Sequence, residues 1–517
     1  MLEGQGVPEE QPTREAAPDT AAPPAPRAQP RTQPCSQPGA YRDPVVWATA
    51  LATAGAYCVI SLSRLLQLNP SSWDLGIYTE YVKQYAYFRA PVVDIRAPGF
   101  NLLGDHFTPI LAVLGPFFRI FPSAATLLVA QALLATVSVF PIAQLAREKL
   151  GLGSSRAVAV AYGFSWGLQQ LADFDFHEIA FAVPLLAFSL SALARGRVRA
   201  TVCWALPLVF VKEDQGFTVA AIGIYLVLSS LRGTLNVRRA AAGQFLLIWG
   251  FAWSFLAIGV IIPHFNPAHH YDYWSDGGVF SPGAHLSLAG LVSQLGHAWP
   301  AKLETVAMLL LPTAFLALRS PLALIAVPSL LLRFVSTDSA FWGTYWHYNA
   351  TVMPIIFVAA VDGLARIGAG GDQLPDLRGK VLGAVRRYAA ALMVVIAVPV
   401  AFQFPLSDLW HAQTYQVSPH VAADQAAMAR VPDGASVLTT LGLLAPLAAR
   451  ADTYWIGNSG NPQTQYIVFD GPNSGYSPAI KDVPAFIAGL YPPHTYTEIF
   501  AADGVYVFRH SAFHHGG

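Results

Sequence analysis

The stretch ALPLVFVKEDQGFTVAAIGIYLVL, residues Ala205–Leu228, decides the class of this chain. It is apolar except around Lys212-Glu213-Asp214 at its middle. A bilayer span takes about 20 mostly apolar residues. Ionisable groups at membrane depth cost on the order of 2.5–3.5 kcal/mol each on insertion scales and are functional candidates for that reason. The run therefore reads as two membrane segments, 201–213 and 215–231, forming a hairpin or a tilted pair. Its charges gather at one membrane face. A plain interfacial turn, where charges are harmless, is the structural alternative.

The rest of the sequence agrees. Of 517 residues, 54% are hydrophobic and 12% charged, against roughly 25% charged in a soluble protein. Mean hydropathy is +0.42. These values describe a polytopic membrane protein. The net charge of zero gives no electrostatic case for nucleic acid. Cys35, Cys58 and Cys203 cannot form a disulfide framework. The chain has no P-loop, dinucleotide fingerprint or Cys/His zinc motif, and no Ser/His/Asp order stands out. Residues 1–44, rich in Pro, Ala, Gln and Arg, read as a disordered cytoplasmic tail. The first apolar run, 45–66, then serves as an uncleaved signal anchor.

Further apolar runs lie at 123–146, 157–172, 178–194, 243–263, 303–318, 320–335, 348–366 and 387–404. The expectation is about 11 transmembrane helices. Basic clusters at Arg147–Arg156, Arg195–Arg199, Arg232–Arg239 and Arg366–Arg387 all fall inside if the N-terminus is cytoplasmic. The segments 67–122, 173–177, 264–302 and 336–347, the turn at Lys212, and everything after about residue 405 then lie outside. Within the first loop, Thr108–Phe121 reads as an interfacial helix. The tail 405–517 loses long apolar runs. Short β-type runs appear at Ser436–Thr440, Thr453–Ile456, Gln465–Phe469 and Val505–Phe508, with a helix-like Leu443–Arg450. This predicts an all-α membrane domain over 45–404 with a small extracytoplasmic α/β domain over 405–517.

The threading brings five polar segments to one face. These are Trp73-Asp74-Leu75-Gly76-Ile77-Tyr78, Gly104-Asp105-His106-Phe107, Asp173-Phe174-Asp175-Phe176-His177-Glu178, Lys212-Glu213-Asp214 and Tyr345-Trp346-His347-Tyr348. Asp74 suits a general base near an acceptor hydroxyl. Its alternative role, shared with Ser72, is to cap a helix Leu75–Phe88. Asp105-His106 suit a cap, a base-orienting pair or a cation site. Asp175, His177 and Glu178 crowd a turn that needs few polar groups. Lys212 suits a phosphate, with Glu213 or Asp214 fixing it. His347 suits a hydrogen bond to phosphate or acceptor, with Tyr345 and Tyr348 beside it. The aromatic and His residues of His264–Trp274 suit interfacial anchors or a sugar-stacking surface.

In this order, with Thr108-Pro109 after Phe107, these segments resemble a family of bacterial predicted membrane proteins, domain of unknown function 2079. That family is similar to the GT-C glycosyltransferases, which include protein O-mannosyltransferases and the aminoarabinose transferases of lipid A. The resemblance implies a multi-helix membrane domain, a catalytic Asp in the first outer loop and a polyprenyl-phosphate sugar donor. It places Asp74 at that Asp. Many GT-C enzymes carry an Asp-Glu pair there, whereas Leu75 follows Asp74, so Asp105 stands as the reserve base. The expected reaction is inverting sugar transfer to a cell-envelope glycan, lipid or protein, on the outer face of a bacterial cytoplasmic membrane. It requires no cofactor; Mg²⁺ or Mn²⁺ is the cation the acidic clusters suit. A transporter or flippase of lipid-linked sugar is the rival reading, though no internal repeat is evident. A non-enzymatic membrane scaffold is another.

Overall fold

A computed structural model of the protein describes residues 39–231, 234–274, 288–336, 338–371 and 377–512, with Gly4 and Gly6. The tail read as disordered lies outside these residues up to position 38, apart from the two glycines. Residues 39–43 are part of the fold. The Asp43 carboxylate accepts from Val45 N at 2.9 Å, capping the helix Pro44–Leu66, and stands 3.0 Å from Arg156 Nε.

Among the described residues, three helices are long and apolar enough to cross a membrane: Pro44–Leu66, Ala124–Leu150 and Val237–Phe265. A fourth candidate is the pair Ser339–Asn349 and Val352–Ile367, bent by 69°. The expected count of eleven is not reproduced, because several apolar runs are broken. The run 157–172 divides between the helices Leu152–Gly163 and Trp166–Asp173. Pro207 lies in a 3-10 turn, Leu206–Phe210, that ends the regular helix Val198–Ala205. In the run 303–318, Ala314 and Phe315 adopt left-handed φ of 48° and 59°, which no helix accommodates. The run 320–335 opens with a 3-10 turn, Pro321–Ala326, before the helix Val327–Phe334.

The helix Gln215–Ser230 crosses Val237–Leu256 where Gly216 meets Gly250. A Cβ on Gly250 would lie 2.2 Å from the Gly216 carbonyl oxygen, so only glycine allows this approach. Val237–Leu256 continues through a π turn, Ala257–Ile261, which widens the helix beside the cavity described below.

The C-terminal sheet has five strands, β1 (Ser436–Thr439), β2 (Asp452–Trp455), β3 (Tyr466–Asp470), β4 (Tyr496–Ala502) and β5 (Val505–His510), in the order β2-β1-β3-β5-β4. β1 pairs in parallel with β2 and β3, with Leu438 opposite Tyr454 and Ile467; β3 runs antiparallel to β5, with Val468 opposite Val507. Alternate residues feed two cores. Val437, Val468 and Val507 pack on one face, and Leu438, Ile467 and Phe508 on the other. Four strands coincide with β-type runs of the sequence. β4 was not expected from the sequence: it is a largely exposed edge strand without an apolar alternation.

The sheet unit rests on the helix Asp74–Ala86. Leu444, on the short helix Leu444–Ala448, lies so close to Gly76 that a Cβ there would come within 2.9 Å of the Leu444 Cβ. Trp73 meets Trp455 edge-on at 4.7 Å. Lys83 Nζ donates to the Ala451 carbonyl at 2.6 Å, and Asn458 Nδ2 to that of Ile95 at 2.8 Å. Gly76→Leu is therefore expected to cost about 1–3 kcal/mol by overpacking this contact. A lower melting temperature of the purified protein checks it.

Candidate active site

Asp74 opens the helix Asp74–Ala86, and its carboxylate is not spent on capping. Ser72 Oγ accepts from Asp74 N at 3.0 Å and donates to Asp74 Oδ2 at 2.5 Å. The N-cap position falls to Trp73, without a side-chain cap, so neither Ser72 nor Asp74 plays the capping role, and Asp74 faces a cavity. His177 Nε2 stands 3.5 Å from Asp74 Oδ2. Burial opposes ionisation of Asp74, but His177 and Ser72 outweigh it and hold the carboxyl below its ordinary range. A first-turn position adds favourable helix-dipole interaction.

Asp175 stands behind this pair. It accepts from Ser71 N at 2.9 Å and Ser72 N at 2.8 Å, fixing the turn that presents Asp74. Its φ of 41° is unusual for a residue with a side chain and turns the chain sharply before His177. Gln131, buried in Ala124–Val137, holds that turn from below. Its Nε2 donates to the carbonyls of Leu171 and Asp175 at 2.7 and 2.6 Å, and its Oε1 accepts from His177 N at 2.9 Å. The ring of His177 stacks on His347 at 3.5 Å. His347 is buried, and neither of its ring nitrogens has a hydrogen-bond partner among the described residues.

Lys212 pairs with Glu178, at 2.9 Å, and not with its sequence neighbours Glu213 or Asp214 as expected. The sharp turn after Phe210 points Lys212 across the bundle, and the Tyr78 hydroxyl donates to the other oxygen of Glu178. Glu213 turns to the first loop. It accepts from Phe107 N at 3.1 Å and the Tyr271 hydroxyl at 2.8 Å, and lies 2.8 Å from His106 Nδ1. Burial and then Lys212 push the His106 pKa down, but Glu213 prevails and leaves it above the usual value. His106 also stacks on Tyr273 at 4.4 Å. Asp105, the reserve base, stands 3.5 Å from Arg96 and accepts weakly from the Tyr273 hydroxyl at 3.4 Å. Asp214 accepts from Gln215 Nε2 at 3.1 Å.

These groups line one cavity of about 730 Å³, within the usual size of small-ligand sites. Asp74, Asp105, His106, His177, Lys212, Glu213, Asp214, His347 and Tyr348 reach its wall. Asp175 and Glu178 stand behind it as supports. Tyr345 is not brought in: it is 67% exposed and packs edge-on against Trp346, which itself lines the cavity. Phe217, Phe255, Ile258, Leu332 and Val335 make an apolar flank.

Sequence reasoning missed Arg333. Its guanidinium donates to the carbonyls of Phe341 and Tyr348 and to Asn349 Oδ1 at 2.6, 3.2 and 3.0 Å, yet no carboxylate pairs with it among the described residues. It lines the cavity as a buried cation. The signal was present as an Arg inside the apolar run 320–335, and Gln131 likewise interrupts the run 123–146. Among the described residues, the cavity does not bring three metal-capable His, Asp or Glu atoms together.

Residues 64–481 match the family described as "Predicted membrane protein (DUF2079)". No curated protein matches the chain significantly. Among solved structures, ArnT from Cupriavidus metallidurans bound to undecaprenyl phosphate is similar with a TM-score of 0.54 and 15% identity, over 90% of this chain and 98% of that one. Apo ArnT gives 0.48 at 14%, over 90% and 97%. The apo oligosaccharyltransferase of Archaeoglobus fulgidus gives 0.42 at 13%, over 81% of this chain and 65% of that one. The likeness to ArnT, at this identity, is one of fold. The chain belongs to the DUF2079 family of predicted membrane proteins.

Proposed function

We propose that this protein is an inverting glycosyltransferase that moves a sugar from a polyprenyl-phosphate donor to a cell-envelope acceptor. The observation that carries the reading is the composition of the single cavity described above. An ionised Asp74 shares it with three cations, Lys212, Arg333 and the Asp105-paired Arg96, and with an apolar flank. A lipid phosphate needs the last two together, and an acceptor hydroxyl needs the first.

In the proposed reaction, the acceptor oxygen attacks the anomeric carbon and Asp74 takes its proton. The bond from that carbon to the phosphate oxygen breaks, and its electron pair leaves with the phosphate through an oxocarbenium-like transition state. Arg333 and Lys212 stabilise the charge that develops on the leaving group, and His347 offers a ring N–H to it. His177 orients Asp74, and Asp175 holds the turn beneath both. Phosphate leaves without a general acid, and no step is routed through a metal. The lipid tail lies along Phe217, Phe255, Ile258, Leu332 and Val335.

On this reading the cavity faces the outside of a bacterial cytoplasmic membrane, with the N-terminus inside. The broken apolar helices complete the membrane domain over 45–404. The unit 405–517 covers the site and helps to recognise the acceptor. The test is binding of undecaprenyl phosphate to the purified protein, measured by native mass spectrometry. Arg333→Gln is expected to weaken binding about tenfold or more, since a hydrogen bond to a charged group is worth roughly 1.5–3 kcal/mol. Equal binding by wild type and variant would remove Arg333 from the phosphate site.

A further inference from the structure

A second polar cluster lies in the C-terminal unit, on residues the proposed transfer does not use. His420 and Asp424 stand one turn apart on one face of the helix Pro419–Met428, and Asp470 ends β3. Their ligand atoms all fall within 4.8 Å of one another. His420 Nε2 is 3.0 Å from Asp470 Oδ1 and 3.7 Å from Asp424 Oδ2. Two donors bound to one ion at about 2.1 Å and near-tetrahedral angles stand about 3.4 Å apart, so the cluster is close to the spacing a cation imposes.

Two further observations point to a missing positive ligand. Asp424 is only 1% exposed, and its Oδ1 has no hydrogen-bond partner. A buried carboxylate oxygen left without a partner is costly. Asp503, in the β4–β5 turn, brings a third carboxylate to 3.0 Å from His420 Nδ1. Among the described residues, no Lys or Arg pairs with Asp424, Asp470 or Asp503. Even a protonated His420 leaves the three acids largely uncompensated.

We infer that His420 Nε2, Asp424 and Asp470 bind a divalent transition-metal cation, Zn²⁺ or Mn²⁺. Imidazole with carboxylates suits these ions better than Ca²⁺ or Mg²⁺. Asp503 then plays the supporting part. It accepts the Nδ1 proton, which fixes the tautomer with a free Nε2 lone pair. Asn473 N, donating to Asp470 Oδ1 at 3.0 Å, orients the second carboxylate. The ion ties the helix Pro419–Met428 to the end of β3 and to the β4–β5 turn, and so braces the unit that rests on the Asp74 helix.

The full-length protein in detergent, stripped with a chelator, is titrated with ZnCl₂ or MnCl₂. Bound metal after dialysis and the melting temperature are read together. Wild type is expected to retain stoichiometric metal and to melt at a temperature that rises with metal concentration. Asp424→Asn is expected to lose both responses while its metal-free form melts no lower, because it removes a buried charge. Asp503→Asn should weaken metal affinity about 10–100-fold, as loss of an outer partner does. Asp74→Asn should keep the metal, which separates this site from the cavity. Wild type that retains neither metal overturns the assignment. So does retention by both Asp424→Asn and His420→Gln.

Discussion

Asp74→Asn is expected to leave the protein folded and inserted while lowering sugar transfer by about 10²–10⁴-fold, the usual contribution of a positioned general base. The amide keeps the shape of the carboxylate and the hydrogen bond from Ser72 Oγ, so the turn 71–74 survives. It cannot accept the acceptor's proton. A single-turnover assay with a lipid-linked sugar reads the loss, and a cooperative melting transition that stays above the assay temperature, lowered only by the lost carboxylate contribution, excludes unfolding. The pH dependence has a definite sign. Asp74 is held below the ordinary carboxylate range, so the base is ionised at neutral pH and fails only as pH falls through its depressed pKa. Stability follows the same direction. The contribution of Asp74 is present above its unfolded pKa and is lost as pH falls through the folded one.

Lys212→Ala is expected to cost stability as well as donor binding. Lys212 and Glu178 are an ion pair at 2.9 Å, and the Glu178 side chain is fully buried. Removing one partner of a buried pair leaves the other charge uncompensated, at a cost of roughly 3–5 kcal/mol. The structure thus changes the expectation drawn from sequence, in which Lys212 served the phosphate with Glu213 or Asp214 fixing it. The double variant Lys212→Met/Glu178→Gln separates the two effects. It should regain most of the melting temperature because neither charge is stranded. It should not regain donor affinity, because the cation is gone. A double variant that binds undecaprenyl phosphate like wild type would confine Lys212 to a structural role.

Most of the polar lining of the cavity was legible because ionisable groups in apolar surroundings are costly and stand out. Lys212, Asp74 and His347 were visible on that ground. Their pairings were not, because they depend on chain turns that no local pattern encodes. The 3-10 turn at Pro207 sends Lys212 to Glu178, and the left-handed Asp175 aims His177 at Asp74. Arg333 and Gln131 carried the same polar signal inside apolar runs but were absorbed into expected spans. Tyr345 shared its composition with Trp346 and His347, yet the bend before Val352 leaves it exposed. The membrane class and four strands of the sheet followed from period and composition. The count of spans did not, because hydropathy registers apolar length and does not see the helix breaks at Phe164-Ser165 or Ala314-Phe315.

The measurement that tests the central claim most directly is a cell-envelope glycan and lipid profile of a deletion strain carrying either wild type or Asp74→Asn. The account predicts a sugar missing from an envelope acceptor, accumulation of its lipid-linked donor, and restoration by wild type alone. Equal restoration by both versions would contradict Asp74 as the base and move a transporter or scaffold ahead of the transferase.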